Sequence, residues 1–195
     1  MAQLNYPHPP DGCQPGERIL FNALKRLLPD DDHVWFEPTL YGERHSRRPD
    51  FVLLGRDLGL IIIEVKDWSL DAILFANRDT VQIALGRNPV TRTNPEKQAE
   101  GHYRTLSQQL EHYRTTAPDH YRQIVQTAGP HAGKLATPIT YFVAFPHISY
   151  LEWHNSTLRL EQVLNPSRVI LRDDLTDGLR DQLRRHLVFR PALSQ

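Results

Sequence analysis

The sequence predicts an α/β fold in which a mixed central β-sheet is flanked by helices, and three observations carry that expectation. Two apolar runs, Phe51-Val52-Leu53-Leu54 and Leu60-Ile61-Ile62-Ile63, bracket Gly55-Arg56-Asp57-Leu58-Gly59, which has the glycines and the Asp of a turn. Neither run alternates with polar residues, so both read as strands buried on both faces. Helical periodicity stands on either side of this hairpin, and 195 residues suffice to bury a real core in one domain.

Taken in order, Met1 to Pro10 lacks the basic start and apolar stretch of a signal peptide, and Pro7-His8-Pro9-Pro10 marks a flexible arm over residues 1–14. Pro15-Gly16 opens a first helix, in which Leu20, Ala23, Leu24, Leu27 and Leu28 recur at helical spacing until Pro29-Asp30-Asp31-Asp32 stops it. Glu17 shares this apolar stripe, three residues before Leu20. A site carboxylate and a first-turn acid favoured by the helix macrodipole, worth about 0.3–1 kcal/mol, are equally open readings of it. His33 to Pro38 follows as a strand, and a polar loop leads through Arg48 to the hairpin.

Past Lys66, Ala72-Ile73-Leu74-Phe75 and Val81-Gln82-Ile83-Ala84 suit a second, peripheral hairpin. Asn94 as N-cap with Pro95 opens a long helix whose stripe is Ala99, Tyr103, Leu106, Leu110 and Tyr113, with Gln98 beside it near the start. Gln98 either overlooks the sheet edge or is an exposed helical residue. Pro118 to Lys134 reads as a loop or short-helix insertion, Ile139 to Phe145 and Val169 to Leu171 as strands, and Leu175 to Val188 as a final amphipathic helix. The tripeptide His-Tyr-Arg recurs at His102, His112 and His120, but a step of ten turns about 80° off register on a helix, so the repetition reads as coincidence.

Composition narrows the chemistry. Formal net charge is zero, which argues against coating nucleic acid by bulk electrostatics. Cys13 is the only cysteine, so neither an intramolecular disulfide nor a cysteine zinc site exists. No apolar run approaches the roughly 20 residues of a membrane span, and a cytoplasmic protein with no membrane partner is the simplest reading. No phosphate loop, dinucleotide fingerprint, Gly-x-Ser-x-Gly elbow or His-Glu-x-x-His helix is present, and none of the ten histidines pairs at metal-ligand spacing. Oxygen ligands remain, and they favour Mg²⁺ or Mn²⁺.

The hairpin supplies such ligands. With Asp57 near the turn centre, Asp50 lies opposite Glu64 and Val52 opposite Ile62, and opposed side chains on one face stand about 5 Å apart at Cβ. Like charges there repel. Lys66 returns to the same face because strand side chains alternate, and a divalent cation held by oxygens would complete the balance. A slip of one residue would undo the arrangement. A salt bridge at the mouth of a sheet is the plain alternative for the trio. Arg44, Arg47 and Arg48, just ahead of Asp50, either touch phosphates or belong to a solvated loop.

These motifs together resemble a known family. Pro49-Asp50-Phe51 with Glu64-Val65-Lys66 is similar to the PD-(D/E)XK nuclease superfamily. Gly16-Glu17-Arg18, Arg48 to Val52, Gly59 to Trp68 and Asn94-Pro95 with Gln98-Ala99 resemble, within it, the nuclease-related domain, often called NERD. Phe145-Pro146 and Arg172-Asp173-Asp174-Leu175 are similar to its later segments, so the likeness spans residues 15–176, with residues 177–195 a closing helix and tail that pack on the domain or lead to another.

The resemblance implies a restriction-endonuclease-like core, an acidic divalent-metal site and a role in DNA processing, and it carries over Glu17, Asp50, Glu64, Lys66 and Gln98 as site residues. The expectation is a Mg²⁺-dependent (or Mn²⁺-dependent) deoxyribonuclease. Asp50 and Glu64, with the Val65 carbonyl, would hold the ion, and Glu17 would hold a second ion or a metal-bound water. Lys66 would orient the attacking water, while Gln98 and the Arg44 to Arg48 loop would position the DNA strand. A nuclease-like module that only docks nucleic acid or a helicase domain is the competing expectation, and RNA is the third.

Overall fold

The computed structural model describes residues 2–42, 45–86, 88–126, 132 and 135–185. A short strand β1 (Gln3–Leu4) and helix α1 (Pro15–Leu27) precede β2 (His33–Phe36), the two-residue strands β3 (Leu40–Tyr41) and β4 (Ser46–Arg47), and the central hairpin β5 (Phe51–Gly55) and β6 (Gly59–Val65). Strands β7 (Ile73–Ala76), β8 (Thr80–Leu85) and β9 (Asn88–Thr93) lead to the long α2 (Pro95–Thr116) and short α3 (Pro118–Gln123). Then come β10 (Ile139–Phe145), α4 (Tyr150–Asn155), β11 (Val169–Leu171) and α5 (Leu179–Arg185).

Six strands form the main sheet in the order β1-β2-β5-β6-β10-β11. Strand β5 runs antiparallel to both of its neighbours, β2 and β6, whereas β10 runs parallel to β6 and β11 parallel to β10, so the sheet is mixed. The hairpin register is the one the turn predicted, with Phe51 opposite Ile63, Val52 opposite Ile62 and Gly55 opposite Gly59.

Strand alternation then sorts side chains to the two faces. Phe51, Leu53, Ile61 and Ile63 meet Leu20, Phe21 and Leu24 of α1, a cluster that also takes in Leu179 and Leu183 of α5. Val52 and Ile62 meet Leu106 of α2 and Leu40 on the opposite face. Glu64 and Lys66 share parity with Ile62, which turns them toward α2.

Several segments differ from the expectation. Gln3–Leu4 lies in the segment read as an arm, yet it adds an edge strand to β2: the Gln3 amide donates to the Asp32 carbonyl at 2.8 Å and the Asn5 amide to that of Val34 at 3.1 Å, while the Asn5 side chain bonds both the amide and the carbonyl of Phe36. The loop before Arg48 contains the β3–β4 pair, and the peripheral hairpin gains a third strand, β9. Its sequence, Asn-Pro-Val-Thr-Arg-Thr, has five exposed positions of six and so carries little apolar signal. On α2 the stripe ends early, with Tyr113 41% exposed. The final helix starts at Leu179, four residues later than expected, because residues 175–178 form bends and a turn after β11, and residues 186–188 of the segment read as that helix lie outside the described residues.

One glycine fixes how the hairpin enters the sheet. Gly59 has φ +74, and a Cβ there would stand 2.4 Å from the Pro138 carbonyl oxygen, which itself accepts a hydrogen bond from the Leu60 amide at 2.9 Å. Gly59→Ala is therefore expected to destabilise the protein by about 2 kcal/mol or more, through both left-handed strain and the clash. Gly178→Ala, whose added methyl meets nothing within 4 Å, serves as control in thermal melts. Equal melting temperatures for the two variants would refute this account of the turn.

Candidate active site

Asp50 ends the approach to β5, and its backbone is pinned by the Glu37 amide, which donates to its carbonyl at 2.8 Å. Glu37 reaches that position with a left-handed φ of 47. The Asp50 side chain crosses to the neighbouring strand, where Oδ2 accepts the Val65 amide at 2.5 Å. Continuing the hairpin register by one pair sets Asp50 opposite Glu64. Burial, the adjacent Glu64 charge and, more weakly, Glu17 push the Asp50 carboxyl up to about 8 against the opposing pull of the Val65 amide and Lys66.

Glu64 is 2% exposed. Its Oε1 accepts from Lys66 Nζ at 2.7 Å, and the same ammonium donates to Gln98 Oε1 at 3.1 Å. Parity on β6 brings Lys66 and Glu64 together, while α2, packed on that face, lowers Gln98 from its first turns onto the ammonium. The Lys66 backbone is held separately, its amide donating to the Ala144 carbonyl at 2.9 Å. Lys66 thus links three of the residues singled out in the sequence.

Glu17 sits third in α1, half-buried, and accepts the Gln14 amide at 2.8 Å. With Val65, Lys66 and Gln98 it borders a cavity of about 410 Å³. The macrodipole reading and a place beside the acids both hold for it, because the start of α1 abuts the end of β6. There Asp67 Oδ1 accepts the Gly16 amide at 2.6 Å, and a Cβ on Gly16 would stand 2.9 Å from that oxygen.

The arginines divide. Arg48 pairs with Glu37 at 3.6 Å, both exposed. Arg47 lays its guanidinium over Gly101 of α2, 2.9 Å from where a Cβ would be. Arg44 lies outside the described residues.

His102, met in the sequence only as part of the His-Tyr-Arg repeat, stands against Glu64. It is 4% exposed, and its Nε2 lies 3.1 Å from Glu64 Oε2, off the line needed for a hydrogen bond. Neither ring nitrogen, nor that carboxylate oxygen, has a hydrogen-bond partner among the described residues. Its position four residues after Gln98, and so on the same helix face, was the available signal. Asp67 was equally unforeseen as a partner of His147, whose Nε2 is 2.6 Å from Asp67 Oδ1.

Whether these groups suit a divalent cation can be tested on their chemistry. Asp50 and Glu64 bring two carboxylates to adjacent strands with one ammonium, that of Lys66, on Glu64, so the place turns net negative once Asp50 gives up its proton, and one Glu64 oxygen is unbonded. Among the described residues no group of three His, Cys, Asp or Glu side chains could cage an ion. Two carboxylates and a backbone carbonyl suit Mg²⁺ or Mn²⁺, since Mg²⁺ is usually bound through one or two carboxylates and keeps several waters.

A family model described as nuclease-related domain matches residues 14–146. That stretch runs from the residue before α1 through all five residues carried over by resemblance to the end of β10. No curated protein and no solved structure matches the chain. No helix among the described residues is long and apolar enough to cross a membrane.

Proposed function

The chain belongs to the nuclease-related domain family, and from that premise we propose that it hydrolyses DNA phosphodiester bonds with Mg²⁺ or Mn²⁺ at Asp50 and Glu64. The observation that carries the reading is the two acids on adjacent strands with the Lys66 ammonium beside them, held between Glu64 and Gln98.

Asp50, Glu64 and the Val65 carbonyl would hold the ion, with Glu17 placed for a second ion or an ordered water. When bound, the cation supplies Lewis-acid polarisation of the scissile phosphate and lowers the pKa of a water. Lys66 contributes a fixed positive charge where negative charge develops and a donor that orients the attacking water. Gln98 holds Lys66 in place and offers its amide N–H groups to a phosphate oxygen. Arg47 and Arg48 border the approach to Asp50 and contact the strand through its backbone, which gives little base specificity.

Cleavage of labelled DNA by the purified chain, lost on chelation and in Asp50→Ala, is the direct test. Matched RNA run in parallel decides the substrate, and cleavage of RNA alone would overturn the DNA assignment. A module that docks nucleic acid or a helicase partner without hydrolysis would bind DNA and show no turnover with either metal.

The raised Asp50 pKa gives a second check. The folded metal-free protein keeps this proton at pH values where the unfolded chain has lost it. Its stability should therefore fall as pH rises from the ordinary carboxylate value of 3.8 toward about 8. Ion binding must displace the same proton. Mn²⁺ titrations near neutral pH in buffers of different ionisation enthalpy should show proton release, with affinity climbing until about pH 8. An affinity independent of pH across that window would contradict the assignment of Asp50 as a ligand.

A further inference from the structure

Resting on the nuclease reading, we propose that the cavity beside Lys66 seats one unpaired nucleotide of a DNA strand, its phosphate on Arg92 and its base against Trp68 and Leu85. The cavity measures about 410 Å³. That falls within the range of roughly 300–1,000 Å³ typical of sites for small-molecule-sized units. Glu17 and Asp67 border it together with Lys66, Arg92, Trp68 and Leu85, so it combines acids, cations and an apolar surface.

The cation available to a phosphate there is Arg92. Lys66, the other cation at the cavity, is committed to Glu64 and Gln98. Arg92 is exposed and forms no ion pair among the described residues. It reaches the cavity because β9 pairs with β8, Arg92 opposite Val81 and Asn88 opposite Leu85. Alternation then sets Leu85 and Arg92 on the face of this small sheet that buries Val81 and Ile83.

Leu85 lies on that face yet is 58% exposed, an apolar side chain at the rim of a charged cleft that its own fold does not cover. Trp68 is half-buried, with its ring tilted against Phe145 at 6.3 Å between centroids and Lys66 Nζ 5.7 Å from its own centroid. An aromatic ring beside a cation is the combination that binds single strands, because every base offers a π-face for stacking. A base engaged in a pair has its stacking face inside the duplex and would have to be unpaired to use it.

The test is binding of the whole chain, with EDTA present to stop cleavage, to a fluorescein-labelled 12-mer oligothymidylate and to a duplex of equal length. The single strand should bind about tenfold or more tightly than the duplex. Arg92→Gln should weaken single-strand binding by about tenfold and lower the slope of log K against log salt by about one. Tryptophan emission should be quenched on binding, and Trp68→Phe, which keeps a ring against Phe145, should remove the quench while Trp35 and Trp153 still report the fold. Duplex preference, an unchanged salt slope in a folded Arg92→Gln, quenching that persists in Trp68→Phe, or no measurable single-strand binding would each overturn the proposal. A chain that cleaves DNA yet prefers duplex loses this inference and keeps the nuclease reading. One that binds single strands without cleaving in Mg²⁺ loses that reading.

Discussion

Lys66→Ala is expected to lower DNA cleavage by at least about 10²-fold, the scale on which removal of one preorganised donor acts, while leaving metal binding intact or tighter. The expectation follows from where the ammonium sits. It donates to Glu64 Oε1 at 2.7 Å and so competes with any cation for that oxygen. Truncation removes the competitor along with the donor that would orient water.

The fold should survive. The Lys66 backbone remains anchored to Ala144, and the site borders a cavity through which water can reach Glu64 once the side chain is gone. Asp50→Ala should behave oppositely, losing Mn²⁺ affinity and cleavage together. Calorimetry for the ion, a cleavage assay and a melt for each variant separate the two patterns. Full cleavage by a folded Lys66→Ala protein would sink the assignment of Lys66.

The second large effect concerns stability and lies at the other end of the hairpin. Asp32 is fully buried, and Arg180 of α5 bridges it to Asp57 in the β5–β6 turn, with Arg184 adding a contact to Asp57 at 2.5 Å. Burial raises the Asp32 pKa above its ordinary value, with the Arg180 hydrogen bond and charge pulling it back down. Arg180→Ala leaves that carboxylate buried without its guanidinium, which should cost about 3–5 kcal/mol near neutral pH.

The sign with pH follows from the direction of the shift. A carboxyl whose folded pKa is raised destabilises the fold as pH climbs from the unfolded value of 3.8 through the folded one. Without Arg180 the folded value rises further. The gap in melting temperature between variant and wild type should therefore narrow on acidification. Asp32→Asn in the Arg180→Ala background should recover part of the loss. A gap that is constant with pH would assign the cost to lost packing of the Arg180 stem instead.

Much of the fold was legible because its signals are local. The hairpin register follows from two apolar runs around a five-residue turn, and the first turn of α2 from Asn94, whose side chain accepts the Glu96 amide at 2.8 Å. Strand β9 escaped because it is a solvated strand held by β8 alone, with no apolar alternation to mark it. Strand β1 escaped because two residues carry no period at all, and only their backbone bonds to Asp32 and Val34, backed by the Asn5 side chain on Phe36, make them a strand.

The chain by itself determined which residues face one another at the open end of the β5–β6 hairpin. In a hairpin, turn length and side-chain alternation fix which residues oppose one another, so Asp50, Glu64 and Lys66 could be grouped by counting. What only the tertiary structure decided is what closes around them. His102 against Glu64, Asp67 on the Gly16 amide, and Arg92 and Leu85 at the rim come from α2, α1 and the small sheet. Their approach depends on how helices and a second sheet pack on the two faces, and packing joins residues far apart in sequence that no local period connects.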